Sequence, residues 1–216
     1  IENNLGIFPT EKDINKVQEI HSYPQDFLQL LQFIDNIEGE YWLSFMSSHP
    51  NYLTDKLIEF MAGSKHIKPY IHFAMQSGSD IVLKKMNRKY SISEFIAKTN
   101  NLKLLIPNLG LSTDIIVGFP GETEEEFLKT AKIMEMLEFD MAYISEYSPR
   151  KGTASTLIKD EIPESEKTRR KKYLNDEILA KSALKFNQKM LHTTQKVLLE
   201  KKYKDGYLGR TNNNKE

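Results

Sequence analysis

The sequence contains no cysteine. That absence excludes disulfides, a thiol nucleophile and any thiolate-held zinc or iron–sulfur centre built from this sequence alone. Net charge is absent too, because 30 lysines and arginines balance 30 aspartates and glutamates. No global positive field draws the chain to nucleic acid, so an RNA contact has to come from a local patch. No apolar run approaches the roughly 20 residues that span a bilayer, and no secretory pattern opens the sequence. The expectation is a cytoplasmic, monomeric protein with no membrane partner. Ile1 stands where a methionine would, and Glu216 closes a polar run. Both ends read as truncated, so a fragment of a longer enzyme is expected.

The 216 residues are 39% hydrophobic and 28% charged, enough for one domain with a core plus a small appendage. Four apolar runs read as strands: Tyr41–Met46, Tyr70–Met75, Leu111–Val117 and Met141–Tyr147. All are apolar on both faces, as parallel strands covered by helices are. Helical patterns fill the gaps. One spans Pro24 to Asn36; a second follows Thr54 and stops at Gly63. Ser91–Glu94 and Thr123–Glu126 are capping boxes that open two more. Pro163 starts a long charged helix to about Met190, with Leu174, Ile178 and Leu184 as a thin apolar stripe. Its run Arg169–Lys172 reads as an exposed face. Lys196–Glu200 and Tyr207–Arg210 flank Asp205–Gly206, a hairpin signal that begins a new β element. Repeated strand–helix units predict an α/β fold, an open sheet or an arc of a barrel, with function at the C-terminal edge of the strands.

At that edge each strand is followed by a polar turn: Ser47–Pro50, Gln76–Ser79, Gly118–Thr123 and Ser148–Thr153. Gln76–Ser79 offers an amide, two hydroxyls and a glycine, suited to ribose or an amino-acid group, or simply to a capped turn. Gly118–Thr123 offers main-chain N–H groups to an anion, or is a tight turn with a cap. Asp114 lies inside a buried strand and needs a partner or a ligand. His49 and His72 lie near the edge without a second metal ligand at useful spacing. No metal site and no catalytic base is assigned. Arg150 and Lys151 form a small basic tip suited to phosphate.

The stretches Ser47–Pro50 (SSHP), Gln76–Asp80 (QSGSD), Met86–Arg88 (MNR), Ser112–Thr123 (STDIIVGFPGET), Tyr147–Arg150 (YSPR) and Gly209–Thr211 (GRT) resemble the radical S-adenosylmethionine methylthiotransferases in order and spacing, from about Asp26 to Arg210. The wording SSHP and QSGS is more similar to the branch that thiomethylates N6-isopentenyladenosine at position 37 of tRNA than to the branch acting on a ribosomal protein. A relative acting on threonylcarbamoyl-adenosine stays open, as does a cluster-free SAM- or RNA-binding module. The resemblance implies a partial TIM-type radical SAM barrel over residues 1–190 and the start of a TRAM-like RNA-binding β domain over 191–216. It also implies S-adenosylmethionine (SAM), 4Fe–4S clusters, an electron donor and tRNA as partners. Gln76 and Ser77 would contact the ribose or methionyl part of SAM. Ser112, Asp114, Ile116, Val117 and Gly118 would line its middle and adenine side, and Tyr147, Ser148 and Pro149 would close it. Arg150, Lys151 and Arg210 would contact tRNA. The family's cluster-binding cysteines are missing, so this chain alone is expected to be inactive. Residues His72–Gln76 read HFAMQ where the family usually has proline at the third position.

Overall fold

A computed structural model describes residues 24–46, 49–149, 152, 155, 158–159 and 162–216. The fold is α/β. Its centre is a parallel sheet of β1 (Tyr70–His72), β2 (Gly110–Val117) and β3 (Met141–Glu146), paired in sequence order. Register places Ile71 opposite Leu111 and Thr113 opposite Ala142. Odd-numbered β2 residues face the same way as Ile71, Ala142 and Ile144, into one core. The opposite face carries Tyr70, His72, Ser112, Asp114 and Ile116. It also carries Tyr143, which is 54% exposed, so no helix covers that face there.

The helices form where local signals put them. Asp26 caps α1 (Phe27–Asp35), accepting from the Gln29 N–H at 2.8 Å. Thr54 caps α2 (Asp55–Gly63). Ser79, the last residue of the expected Gln76–Ser79 turn, caps a short α3 (Asp80–Lys85). Both capping boxes are complete, opening α4 (Ile92–Leu105) and α5 (Glu124–Leu137). These helices bury Phe73, stacked on Phe95 at 4.3 Å, together with Phe127 and Leu102.

Two expected strands are shorter than predicted. Tyr41–Met46 contributes a single parallel bridge, Leu43 to Ile67. The next rung of that ladder would need the Lys68 carbonyl and the Tyr70 N–H. Those two groups bond each other at 2.7 Å across Pro69. The second run breaks at Ala74 and Met75, where the Met75 N–H donates to the Thr113 hydroxyl (2.9 Å), and resumes at Gln76, bridged to Ile115. The break falls on Ala74, the third residue of the HFAMQ stretch.

The long helix comprises α6 (Glu164–Tyr173), a π-helical segment (Leu174–Leu179) and α7 (Ala180–Gln188). Arg170, Leu174, Ile178 and Ser182 are buried at four-residue spacing along it, and the Ser182 hydroxyl donates to the Phe139 carbonyl at 2.6 Å. Leu184, expected in the stripe, is 58% exposed. It lies six residues beyond Ile178, on another side of the helix. Nor is Arg169–Lys172 a uniformly exposed face, because Arg170 is 5% exposed. The hairpin of β4 (Val197–Tyr203) and β5 (Gly206–Thr211) turns at Lys204–Asp205, one residue earlier than expected, and Gly206 pairs with Tyr203. Residues 211–215 then return to the N-terminal edge of the sheet. A Cβ on Gly110 would sit 2.9 Å from the Asn213 carbonyl oxygen, so glycine admits that close approach.

At that edge Asp140 is buried. Neither carboxylate oxygen accepts a hydrogen bond among the described residues, and the Lys215 ammonium stands 3.7 Å away. Burial pushes its pKa up to about 6. A carboxyl raised above its unfolded value of about 3.9 stabilises the fold fully only below that value, and the contribution is lost as pH rises through about 6. Asp140→Asn is therefore expected to gain about 2 kcal/mol over wild type at pH 7.5, with the gain vanishing by about pH 4. Urea unfolding of both proteins across that range measures it. A pH-independent difference would contradict the buried carboxylate as its source.

Candidate functional site

Parallel pairing brings the C-terminal ends of β1, β2 and β3 to one edge, and side chains tie their turns together. Val82, Phe119 and Tyr147 form a separate apolar cluster there, joined by Ile116 and Met86. Phe119 and Tyr147 meet edge to face at 5.0 Å, and the Tyr147 N–H donates to the Val117 carbonyl at 2.8 Å. Lys85 donates to the Gly121 carbonyl at 2.7 Å, linking α3 to the turn after β2. His49 begins the described part of the first turn. Its ring lies 5.3 Å from that of Tyr90, whose hydroxyl donates to the Met75 carbonyl at 2.9 Å. Burial, then the nearby Arg88 and Lys98 charges, holds His49 below the usual imidazole range. Its Nδ1 accepts the Asn51 N–H at 3.3 Å.

Within these turns much of the polarity is already engaged. Gln76 takes φ +64°, its N–H donates to the Asp114 carbonyl (2.7 Å), and its carbonyl accepts from the Ile116 N–H (2.9 Å). The Ser77 hydroxyl, fully buried, meets the Thr130 hydroxyl at 3.4 Å and accepts the Ser79 N–H at 3.2 Å. In the turn after β2 the Gly118 N–H donates to the Glu122 carboxylate at 2.6 Å, and the Thr123 N–H donates to Glu126 at 2.8 Å. Two N–H groups that an external anion would need are thus held by the chain's own carboxylates. Gly118 takes φ +72°, and Lys167 lies across it, where a Cβ would meet the lysine Cγ at 2.4 Å. Burial raises the Glu122 carboxyl above the ordinary glutamate range, and the Gly118 N–H and Arg170 offset this only in part.

Other groups at this edge are less committed to internal bonds. The Tyr147 hydroxyl is buried without a hydrogen-bond partner among the described residues, and the Lys167 ammonium stands 5.7 Å from the centre of its ring. Asp114 is 40% exposed on the uncovered face. Ile116 is half-buried beside the apolar cluster, whereas Val117 is fully buried in the main core. Ser148 and Pro149 are exposed at the edge. Arg150 and Lys151 lie outside the described residues, as do Ser47 and Ser48. Arg210 is not brought to this edge. It sits on the hairpin, bonded to Glu200 at 3.0 Å, and its charge acts on Lys68 beside the start of β1. A cavity of about 590 Å³ also opens away from the edge, lined by Pro69, Leu109 and Asn213 among others.

Sequence reasoning missed two groupings. Lys167 and Arg170 reach the Gly118–Glu122 turn from the long helix. His72 and Ser112 join Asp114 in a hydrogen-bonded row on the uncovered sheet face. The i, i+3 spacing of Lys167 and Arg170 and the two-residue spacing of Ser112 and Asp114 were the available signals.

A parallel α/β sheet with polar turns gathered at one strand edge defines a class, and residues 16–134 match the Radical SAM superfamily. The chain belongs to that superfamily. It is 40% identical over 203 residues to the tRNA-2-methylthio-N(6)-dimethylallyladenosine synthase of Desulfitobacterium hafniense, covering 90% of this chain and 45% of that protein. The Fusobacterium nucleatum protein of the same name is 40% identical over 207 residues (92% and 47%). That of Neisseria meningitidis is 40% identical over 193 residues (88% and 43%). The chain spans less than half the length of these curated relatives.

Proposed function

We propose that this chain is part of a tRNA methylthiotransferase that adds a methylthio group to C2 of an N6-modified adenosine in tRNA by radical SAM chemistry. The observation that carries the reading is the likeness, over nine-tenths of the chain, to synthases of that name, joined to turns gathered at the C-terminal edge of parallel strands. SAM suits this edge. The Tyr147 hydroxyl, without a hydrogen-bond partner among the described residues, and the partly exposed Asp114 carboxylate offer polar contacts, and Ile116 and Phe119 offer an apolar wall. Gln76, Ser77, Gly118, Ser148 and Pro149 frame the same edge, with Ser112 and Val117 supporting it from within the sheet. When bound, SAM supplies the radical precursor and the methyl group. The chain's own residues bind it, orient it and exclude water.

An iron–sulfur cluster does not suit the residues present. The sequence has no cysteine, and no group of three or more His, Cys, Asp or Glu able to hold a metal occurs among the described residues. Thiolate ligands would have to come from polypeptide outside this sequence. On this reading residues 1–190 form an arc of a radical SAM barrel, and 191–216 begin a TRAM-like RNA-binding element that includes Arg210.

The test expresses the complete reading frame containing this sequence, reconstitutes it with iron and sulfide, and supplies SAM and a reductant. Two substrates are compared: tRNA carrying N6-dimethylallyladenosine and tRNA carrying threonylcarbamoyl-adenosine. Mass spectrometry of the digested nucleosides is expected to show the 2-methylthio product from the first. Product from the second alone reassigns the substrate, and no product from either, with SAM cleaved, rejects the reading.

A further inference from the structure

The uncovered sheet face holds a hydrogen-bonded row whose donor direction is fixed by its carboxylate end. Beside it the Lys68 ammonium, 8% exposed, donates to Oδ1 of Asn214 at 3.0 Å. Tyr70 Oη lies 2.7 Å from Ser112 Oγ, and Ser112 Oγ lies 2.9 Å from His72 Nδ1. His72 Nε2 lies 3.0 Å from Asp114 Oδ2, and an ionised carboxylate can only accept. Reading back from the carboxylate gives one direction: the Nε2–H tautomer of His72 donates to Asp114, Ser112 donates to Nδ1 of His72, and Tyr70 donates to Ser112. Bonds aligned in this way polarise one another.

Each inner member is committed. Ser112 is fully buried, and the His72 side chain is 5% exposed. Asp114 differs. Its Oδ2 is held by His72, its side chain is 40% exposed, and Tyr143 opposite it is 54% exposed with its ring 5.9 Å from that of His72. The row therefore ends in a fixed carboxylate whose second oxygen faces open space beside an available tyrosine.

The geometry points to a positioning array. Tyr70, Ser112 and His72 orient Asp114 so that its Oδ1 accepts an N–H or O–H donor of an adenosine group. This deepens the proposed function and rests on it, because SAM and the substrate nucleoside both carry an adenosine. It also changes the part expected of Ser112. That residue acts through His72 and not by touching the ligand.

The test uses protein from the complete reading frame and two probes, S-adenosylhomocysteine for the cofactor and an anticodon stem-loop RNA carrying N6-dimethylallyladenosine for the substrate. Asp114→Asn and His72→Asn are each expected to weaken one probe about tenfold or more, and the probe that responds identifies the source of the adenosine. Gln at position 72 places an amide N–H where Nε2 stood, so His72→Gln is expected to stay within about threefold of wild type. Nitrogen-15 NMR of the His72 ring reads the array directly and should show the Nε2–H tautomer. The array is overturned by the Nδ1–H tautomer, or by equal losses in the two His72 variants, which would mark ring packing as the cause. Wild-type binding of a probe that Asp114→Asn leaves intact overturns the ligand assignment alone. Wild-type failure to bind either probe overturns the assignment and the proposed function together.

Discussion

Replacing Arg170 with methionine is expected to lower the unfolding free energy by about 3–5 kcal/mol, the cost of leaving a buried charge without its partner. Arg170 donates to the Glu122 carboxylate at 2.8 Å, to the Glu122 carbonyl at 3.1 Å and to Glu166 at 2.7 Å. It also packs 5.3 Å from the centre of the Phe127 ring. Methionine keeps most of the apolar contact, so the loss isolates the charge. Glu122 is 3% exposed, and with Arg170 gone the Gly118 N–H is the one hydrogen-bond donor left to it among the described residues. The pH dependence has a definite sign. Burial already raises the Glu122 carboxyl, and removing the guanidinium raises it further. A raised carboxyl favours the fold below its unfolded pKa and loses that contribution as pH rises through the folded value. The variant should therefore be least stable at alkaline pH and recover on mild acidification. Arg170→Met with Glu122→Gln should regain more than half of the loss, because the second change removes the stranded charge. Urea unfolding at pH 5.5 and 8 measures all three proteins. A loss below about 1 kcal/mol would place the pair among ordinary exposed ion pairs such as Lys181–Glu177.

Why that pair escaped the sequence reading is instructive. The boxes at Ser91–Glu94 and Thr123–Glu126 were legible because all their hydrogen bonds close within four residues. The parallel sheet was legible because strands covered on one face and bounded by polar turns keep an apolar pattern. Ends were harder. The ladder expected at Tyr41–Met46 fails because of one contact across Pro69, and no residue type signals that contact in advance. The site was legible as turns and not as a network. Asp114 drew notice as a carboxylate in a buried strand, and His72 as a lone histidine, yet 42 residues separate the pair. Arg170 and Glu122 are 48 residues apart, and Lys68 and Asn214 are 146 apart. Hydrophobic periodicity reports which face a residue takes; it carries no information about which distant polar group meets it there. A run such as Arg169–Lys172 reads as solvated until the fold shows that one of its four residues turns inward.

A single methyl group at position 78 is expected to cost about 3 kcal/mol, near the upper end for overpacking. Its added Cβ would lie 2.5 Å from the Thr130 Cα, 2.8 Å from the Thr130 nitrogen and 2.9 Å from the Lys129 carbonyl oxygen. All three are main-chain atoms in the middle of α5, so no rotamer change relieves the overlap. The Gly78 N–H also donates to the Thr130 hydroxyl at 2.9 Å, and that bond would stretch as the elements parted. Backbone conformation is not the issue, since Gly78 is not among the glycines with positive φ; the requirement is space. The consequence extends beyond stability because this turn carries Gln76 and Ser77 while α5 begins at the turn carrying Gly118. Gly78→Ala moves two of the edge's turns apart, so weaker binding of S-adenosylhomocysteine should accompany the lost stability. Gly63→Ala is the matched control. That glycine ends α2, nothing lies within 4 Å of its added Cβ, and the change should stabilise the fold by about 0.5–1 kcal/mol. Urea unfolding of the two variants beside wild type decides the matter. Should Gly78→Ala unfold within about 0.5 kcal/mol of wild type, α5 has room to retreat and the turns are not locked together as the contact implies.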